Sequence, residues 1–163
     1  MVVPKKSLSQ NFLHDENIVR KIVAALDIHE GDAVVEIGPG RGILTAPLKE
    51  RTSRFVAIEV DPQAVELLQQ IFGTGLEIVQ SDVRKVRIRD LERRFGRPLR
   101  IVGNIPYHIT SDILFWLFDD RDCVQDAILM VQLEVARRLT AHPGSKDYGI
   151  LSVFSRFYTE PRL

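Results

Sequence analysis

The tetrapeptide Asn104-Ile105-Pro106-Tyr107 carries groups that suit chemistry on an aromatic amine. The Asn104 side-chain oxygen and the carbonyl oxygen of Ile105 or Pro106 are two acceptors, which together could hold both protons of an adenine N6 amino group. Tyr107 offers a ring on which an extruded base can stack, a contact that contributes about 1–3 kcal/mol per base. Pro106 stiffens the loop. We therefore predict Asn104, Pro106 and Tyr107 as catalytic residues; the alternative is an ordinary Asn-x-Pro turn.

Glycines at alternate positions, Gly38, Gly40 and Gly42, follow a short apolar segment. Glycine adopts positive φ and lets a ligand approach the backbone where a Cβ would clash. A dinucleotide-binding loop has the pattern G-x-G-x-x-G instead, so the spacing favours a ligand that lies across the loop. We predict Gly38 and Gly40 as cofactor-binding positions, and a plain strand-to-helix turn is the alternative.

Two carboxylates follow at positions typical of a pocket for an adenosine-containing cofactor. Glu59 ends the next apolar segment and can accept hydrogen bonds from both ribose hydroxyls. Asp82 ends the third such segment and can accept a hydrogen bond from the adenine amino group. The alternatives are a surface glutamate beside Asp61 and a carboxylate at Asp82 that caps the following turn.

These groups fit methyl transfer from a sulfonium donor better than acid–base or metal chemistry. The methyl group of such a donor is already activated, so catalysis consists of orienting the amine and stabilising the charge that develops on it. Histidines at four positions have no ligand-like spacing, and we expect no metal site: His14, His29, His108 and His142.

Strand and helix patterns alternate along the chain and must position these residues. Strand patterns lie at residues 33–37, 55–60, 76–80, 99–103 and 127–132, and residues 150–158 alternate weakly, as a final strand would. Helical patterns lie at residues 43–50, 62–72, 111–118 and 134–141. This order predicts an α/β fold with a mostly parallel sheet, helices on both faces and ligands at the carboxyl ends of the strands. The candidate residues follow four of these strand ends.

The composition is typical of a globular cytoplasmic protein of one domain. The chain has 163 residues, 45% of them hydrophobic and 27% charged, and its formal net charge is zero. No apolar stretch approaches the roughly 20 residues that cross a bilayer. The lone Cys123 agrees with a reducing cytoplasm. A basic stretch indicates either a solvated face or a phosphate-binding surface: Arg84, Lys85, Arg87, Arg89, Arg93, Arg94, Arg97 and Arg100.

Several motifs in order resemble those of the small-subunit ribosomal RNA adenine N6,N6-dimethyltransferases, a family that uses S-adenosylmethionine. The similarity extends over nearly the whole chain. Its motifs are SQNFL at residues 9–13, VEIGPGRG at 35–42, IEVD at 58–61, QSD at 80–82, GNIPYHITS at 103–111, VQLEVARRL at 131–139 and SKDYG at 145–149.

The resemblance implies a Rossmann-like methyltransferase fold that methylates two adjacent adenosines near the 3′ end of small-subunit ribosomal RNA on an assembling 30S-type subunit. It also implies that Asn11, Leu13, Gly38, Glu59, Asp82 and Asn104 contact the cofactor. From the residues alone, the segment before Leu13 looks like the lead into a helix. The family further implies that residues 1–30, with Lys5 and Lys6, fold over the site and meet RNA.

Two departures from the family pattern limit this comparison. Leu133 stands where members usually have lysine. Members also continue with a strand that completes the sheet and with a small helical RNA-binding domain. We therefore expect one methyltransferase domain over residues 1–163 that lacks both, with an open apolar sheet edge around residues 150–158.

Three other functions compete with this interpretation. A large-subunit RNA methyltransferase of the erythromycin-resistance type shares the glycine loop and the Asn-x-Pro-aromatic motif, although residues 107–111 and 144–149 are closer to the first family. A binding or assembly factor without catalysis is expected to lose Glu59 or Asn104, and both are present. DNA adenine methyltransferases typically have Asp at the position of Asn104.

Overall fold

The computed structural model describes residues 13 and 15–163, in which five strands alternate with helices. The strands are β1 Ala33–Ile37, β2 Arg54–Glu59, β3 Glu77–Gln80, β4 Leu99–Asn104 and β5 Val124–Met130. The helices are α1 Glu16–Leu26, α2 Thr45–Lys49, α3 Pro62–Phe72, α4 Ile88–Phe95, α5 Thr110–Asp119, α6 Leu133–Thr140 and α7 Ile150–Tyr158. Short 3₁₀ turns precede β3, α4, α5 and β5.

The five strands form one parallel sheet in the order β3-β2-β1-β4-β5. The order reverses between β1 and β4, and right-handed crossovers on the two sides of this switch point place helices on opposite faces. The predicted α/β fold with a parallel sheet is therefore confirmed. Side chains alternate between the faces, so Val34, Phe55 and Val102 lie in a core with α1, α2 and α3 residues such as Leu26, Leu48 and Leu68.

Local sequence explains where the helices begin. Asp15 caps α1 by accepting hydrogen bonds from the backbone N–H groups of Asn17 and Ile18, at 2.7 and 3.4 Å. Asp61 caps α3 in the same way, accepting from Gln63 N at 3.1 Å, and Pro62 occupies the first turn as predicted. These caps fix the chain direction as it leaves each strand or loop.

The chain divides into two compact units, Met1–Met130 and Val131–Leu163. The first holds the whole sheet. In the second, α6 and α7 pack on each other, the Ser152 hydroxyl donates to the Arg138 carbonyl at 2.5 Å, and Arg156 Nε donates to the Ala141 carbonyl at 2.8 Å. The single domain over residues 1–163 stays a prediction.

The predicted strand over residues 150–158 is wrong, because these residues form α7. Apolar side chains recur at Ile150, Val153, Phe154 and Phe157, a spacing of three and four residues that suits a helix rather than a strand. The edge strands are β3 and β5. The expectation of an open sheet edge at residues 150–158 is therefore also wrong.

The fifth strand begins and ends earlier than predicted, at Val124 and Met130 instead of residues 127 and 132. Its exposed Gln125 and half-buried Asp126 hid its start, because polar residues in an edge strand break an apolar pattern. Helix α4 was not predicted either. Its stretch IRDLERRF is dominated by charge, and only Ile88 and Leu91 are buried.

Ion pairs neutralise most of the basic stretch between residues 84 and 100. Six of its eight cations contact a carboxylate within 4.0 Å, which favours the solvated-face interpretation over a phosphate-binding surface. The pairs are Arg84 with Asp82, Arg89 with Asp120, Arg93 with Asp90, Arg94 with Glu77, and both Arg97 and Arg100 with Asp32.

A buried ionic network closes the amino ends of the strands. Arg100 on β4 binds Asp126 on β5 with two hydrogen bonds of 3.0 and 2.6 Å, and its Nη1 donates to Asp32 at 2.9 Å. Arg97 also donates to Asp32, at 3.1 Å. The His29 backbone N–H and the Arg100 guanidinium lower the pKa of Asp32, and burial opposes this shift. Because this network lies at the amino ends, it is remote from the predicted site.

Within the described residues, no helix has the length and apolar character to cross a membrane.

Candidate active site

Register across the sheet brings three predicted site positions into one row. Ile37 at the end of β1 pairs with Ile58 of β2 and with Gly103 of β4. The next residue along each chain therefore lies in a common row at the carboxyl ends of the strands: Gly38, Glu59 and Asn104. Neighbouring strands are about 4.8 Å apart, so Glu59 and Asn104 lie about 10 Å from each other, on either side of the glycine loop.

Backbone hydrogen bonds and glycine geometry fix the loop that follows β1. Gly38, Gly40 and Gly42 have φ values of +66°, +56° and +79°, a region that favours glycine. Gly38 N donates to the Ile58 carbonyl at 2.9 Å. A Cβ built on Gly38 meets nothing within 4 Å, whereas one on Gly42 comes within 3.0 Å of Leu68 and Phe72 side chains. Gly38 therefore borders open space, and Gly42 is needed for packing against α3.

Glu59 is buried, only 4% exposed, and it holds the glycine loop. Its Oε2 accepts from Gly40 N at 3.1 Å, and its Oε1 accepts from Val60 N and Asp61 N at 2.8 and 2.9 Å. Burial raises the pKa of Glu59, and these N–H groups oppose the shift. They take three of the about four acceptor positions of a carboxylate, which leaves room for one further donor on Oε2. The predicted contact with both ribose hydroxyls stays a prediction.

Glu36 lies beneath the same loop and is 1% exposed. The Thr45 hydroxyl at the start of α2 donates to Glu36 Oε2 at 2.6 Å, so this contact joins β1 to α2 on the two sides of the glycine loop. Burial raises the pKa of Glu36 to about 8, the Thr45 hydrogen bond opposes the shift, and the charge of Glu59 adds to it. Glu36 is therefore largely protonated at neutral pH.

The loop after β4 presents the predicted catalytic residues. Asn104 is the last residue of β4, is half-buried and pairs with Met130 of β5. The Pro106 carbonyl accepts from Ile109 N and from the Thr110 hydroxyl, both at 3.2 Å. These two contacts occupy both lone pairs of that oxygen. Of the two carbonyls considered for the amine, the Ile105 carbonyl is therefore the better second acceptor.

Tyr107 and Ile105 take opposite positions in this loop. The ring of Tyr107 is 49% exposed, which suits a surface on which a base stacks, whereas Ile105 is 2% exposed and anchors the loop in the core. Ile105 N donates to the Met130 carbonyl at 3.0 Å and so continues the β4–β5 pairing by one step. The loop thus leaves the sheet from a fixed point.

Asp82 lies two residues beyond the end of β3 and caps the 3₁₀ turn at residues 83–85. It accepts from Arg84 N at 3.0 Å, and the Arg84 guanidinium binds both of its carboxylate oxygens. These contacts lower the pKa of Asp82, the side-chain hydrogen bond from Arg84 most of all. The capping alternative is therefore observed, and the cofactor contact stays a prediction.

Two predictions remain: cofactor contacts near the amino terminus, and the absence of a metal site. Leu13 is partly buried and packs against the core formed with α1, α2 and α3, while Asn11 lies outside the described residues. Across residues 13 and 15–163, no group of three or more His, Cys, Asp or Glu side chains is arranged to hold a metal ion. The absence of a metal site stays a prediction.

Sequence reasoning missed three residues that shape the site: Glu36, Thr45 and Arg84. A glutamate within the apolar stretch AVVEI was a usable signal, because burying a carboxylate in a strand costs free energy unless the group is hydrogen-bonded or protonated. Nothing in the sequence pairs Thr45 with Glu36, since the contact depends on how α2 folds back over β1. Arg84 was hidden among its basic neighbours.

Comparison with protein families matches residues 3–163 to one family, described as Ribosomal RNA adenine dimethylase. The match includes every predicted site position. The chain belongs to this family. The resemblance inferred from the motifs is confirmed, and the fold is the predicted Rossmann-like methyltransferase fold.

Curated relatives agree with this assignment. The chain is 45% identical over 165 residues to the Ribosomal RNA small subunit methyltransferase A of Salinibacter ruber, covering 98% of this chain and 54% of the relative. It is 47% identical over 152 residues to the protein of the same name from Chlorobium phaeobacteroides, covering 93% and 57%. The chain thus spans about half the length of the curated relatives it matches.

Two solved structures of RNA-modifying or adenosine-modifying methyltransferases have the same fold as this chain. A dimethyladenosine transferase from Plasmodium falciparum is 30% identical, with a TM-score of 0.77 over 88% of this chain and 51% of that one. The 23S rRNA methyltransferase ErmE is also 30% identical, with a TM-score of 0.68 over 80% of this chain and 51% of that one.

Proposed function

We propose that this chain binds S-adenosylmethionine and transfers methyl groups to N6 of two adjacent adenosines near the 3′ end of small-subunit ribosomal RNA, on an assembling 30S-type subunit in the cytoplasm. The observation that carries the proposal is the row formed by Gly38, Glu59 and Asn104, which sets a cofactor loop beside a two-acceptor site. Membership in the family and the name of the curated relatives support the choice of substrate.

The residues at the carboxyl ends of β1, β2 and β3 suit an adenosine-containing cofactor. Gly38 borders open space, so a ligand can lie against the loop without a Cβ in its way. Glu59 would accept from the ribose and Asp82 from the adenine amino group. Asn11 and Leu13 would add contacts from the amino-terminal side, as the family resemblance implies. When bound, S-adenosylmethionine supplies a methyl group already activated on a sulfonium sulfur.

Asn104, Ile105 and Tyr107 would hold the target base. The Asn104 side-chain oxygen and the Ile105 carbonyl oxygen would accept hydrogen bonds from the two N–H groups of N6, which keeps the nitrogen lone pair out of the ring and directed at the methyl group. Tyr107 stacks on the base. Rate enhancement comes from this orientation and from stabilising positive charge on N6, and Asn104 contributes to both. Pro106 restricts the loop so that the acceptors stay aligned.

The decisive test measures methyl transfer to RNA. The chain is incubated with labelled S-adenosylmethionine and either small-subunit precursor particles or free large-subunit RNA. We expect label in the small-subunit RNA, on adenosines near its 3′ end. Label in large-subunit RNA alone would assign the activity of the ErmE type, which the structural similarity keeps in view. No label in either substrate would reject the proposal.

Asn104→Ala should lower turnover by about 10²–10³-fold, because it removes one acceptor that acts on the reacting amine. Its half-buried position at a strand end predicts little change in unfolding. The matched control is Gln69→Ala, which removes an exposed side-chain amide in α3, and we expect unchanged turnover there. Equal turnover for Asn104→Ala and wild type would contradict the role of Asn104.

A further inference from the structure

Arg84 connects the cofactor side of the candidate site to the substrate side. Its Nε donates to Asp82 Oδ1 at 3.0 Å, and its Nη2 donates to Asp82 Oδ2 at 2.6 Å. Its Nη1 donates to Asp112 Oδ2 at 2.8 Å. Asp112 lies in the first turn of α5, the helix that directly follows the loop of Asn104. One guanidinium therefore contacts both the carboxylate after β3 and the helix after β4.

A second contact joins the same two segments. The Trp116 indole N–H donates to the Val86 carbonyl at 2.7 Å. Asp112 and Trp116 are four residues apart on α5, so they lie on one face of the helix, and both reach the segment of residues 84–86. Two independent contacts from one helix face make this a defined junction rather than a chance pairing of surface charges.

The geometry of the guanidinium explains why an arginine suits this place. Its planar fork binds both oxygens of Asp82 and so fixes the plane of the carboxylate, which a lysine ammonium cannot do. The Arg84 backbone N–H donates to the same carboxylate at 3.0 Å and restrains it further. The carboxylate stays ionised because these contacts lower its pKa. The single Nε–H of Arg84 is shared between Oδ1 at 3.0 Å and Oδ2 at 3.2 Å, so Nη2 is the one full donor to Oδ2 and an acceptor position remains there for an incoming donor.

We infer that Arg84 is a positioning residue that orients the Asp82 carboxylate toward the adenine ring of the cofactor and ties it, through Asp112, to the helix behind the target loop. This inference rests on the proposed function. Arg84 acts through Asp82 and Asp112 and does not touch the reacting atoms. It thereby makes adenine recognition at β3 depend on a contact with α5.

The test measures binding of S-adenosylhomocysteine to the full chain by isothermal titration calorimetry. Arg84→Ala should weaken binding roughly three- to tenfold, because Asp82 loses its fixed orientation. Arg84→Lys keeps the charge without the fork and should recover only part of the loss. The matched control is Arg94→Ala, which removes an exposed arginine that binds Glu77 at the opposite end of β3. Binding by this control should equal that of wild type.

A second ligand separates positioning from mere stability. S-inosylhomocysteine has an oxo group in place of the adenine amino group, so its 6-position offers Asp82 an acceptor instead of a donor. Wild type should prefer S-adenosylhomocysteine, and Arg84→Ala should lose most of that preference. A purely structural role would lower the melting temperature while affinities for both ligands changed equally. Asp112→Asn should reduce the preference in the same direction as Arg84→Ala but less, because Arg84 keeps its contacts with Asp82.

Fluorescence of Trp116, the only tryptophan in the chain, reports whether the junction with α5 persists in each variant. Should Arg84→Ala fail to fold, Arg84→Lys and Asp112→Asn carry the same comparison. If wild type binds S-adenosylhomocysteine and all three variants keep its affinity and preference, this inference is wrong and the proposed function stands. If wild type binds neither ligand, both are wrong.

Discussion

Glu36 places a carboxyl group where water does not reach, directly under the loop that would hold the cofactor. Its hydrogen bond from Thr45 ties the strand before the loop to the helix after it. Because burial dominates over this contact, the neutral acid is the stable form in the folded protein near neutral pH. A single titrating group therefore links the stability of the glycine loop to pH.

The sign of that linkage follows from the direction of the pKa shift. The pKa of Glu36 rises from its ordinary value of 4.5 to about 8 on folding. Below 4.5 the group is protonated in both states, and its contribution is fully present. Between 4.5 and about 8 the unfolded chain loses the proton and the folded chain keeps it. The free energy of unfolding should therefore fall by up to about 1.4 kcal/mol per pH unit in this window.

Glu36→Gln should remove this dependence, because a neutral amide keeps the acceptor for Thr45 and cannot ionise. Denaturant unfolding of both proteins at pH 5 and pH 8 measures it. We expect the variant to gain stability relative to wild type as the pH rises. Parallel pH curves for the two proteins would show that Glu36 does not titrate in this range.

At the scale of elements, the close approach of β1 and β4 sets the spacing of the site row. Gly103 lies where a Cβ would come within 2.8 Å of the Ile37 carbonyl and 3.0 Å of its Cβ. Both neighbours belong to a central strand that is buried on both faces, so neither can move aside cheaply. A glycine here lets the two strands pair directly beside the candidate site.

Gly103→Ala should therefore destabilise the protein by roughly 2 kcal/mol, the usual cost of overpacking a buried site. Unfolding in urea measures the change. Gly75→Ala is the matched control: its Cβ would meet only Lys49 Nζ, at 3.7 Å. We expect that substitution to be neutral or slightly stabilising, since alanine restricts the unfolded chain. Equal losses at the two positions would mean that strand separation does not depend on Gly103.

The outcome for individual elements shows what sequence could and could not predict. Strand β1 and helix α3 begin and end where predicted, because a short β-branched stretch closed by glycines and an Asp-Pro helix start are local signals. Helix α4 was missed because its packing face has only two buried residues. Helix α7 was taken for a strand because a nine-residue aromatic segment carries both periodicities, and packing on α6 decides between them.

The same division applies to the site. The row of Gly38, Glu59 and Asn104 could be predicted, because parallel strands place their carboxyl ends at one edge of a sheet. The contacts of Arg84 with Asp112 and of Thr45 with Glu36 could not, since each joins segments whose distance depends on the folded sheet. The assignment of the Pro106 carbonyl to Thr110 likewise needs the turn geometry that only the structure supplies.

At the scale of the sheet as a whole, buried ion pairs stabilise the amino ends of the strands, which are remote from the candidate site. The Arg100 side chain and that of Asp32 are each 7% exposed and lie 2.9 Å apart, and Asp126 completes the network from β5. Removing Arg100 takes the buried cation away from Asp32 and leaves that carboxylate with only Arg97 and the His29 N–H as partners. Segments before β1, in β4 and in β5 are all joined here, although they are distant in sequence.

Arg100→Met should cost roughly 3 kcal/mol in the free energy of unfolding. The control Arg97→Met removes the other arginine that binds Asp32. The Arg97 side chain is 34% exposed, so this substitution should cost less than about 1 kcal/mol.

The pKa of Asp32 is lowered in the folded state, so the contribution of Asp32 to the free energy of unfolding is present above pH 3.8 and is lost as the pH falls below that value. Arg100→Met should shrink this acid sensitivity without abolishing it, because the His29 N–H remains; an unchanged acid limb would contradict the pairing.

The two ends of the sheet thus differ: ion pairs stabilise the amino ends of the strands, and the candidate site lies at their carboxyl ends. Exchanges within the Arg100 network should change the stability of the sheet and leave the candidate site at the carboxyl ends of the strands unchanged. A protein engineer could raise the working temperature by redesigning that remote ionic cluster alone. Natural variants from hot and cold habitats should accordingly differ at the amino ends of these strands before they differ around Asn104.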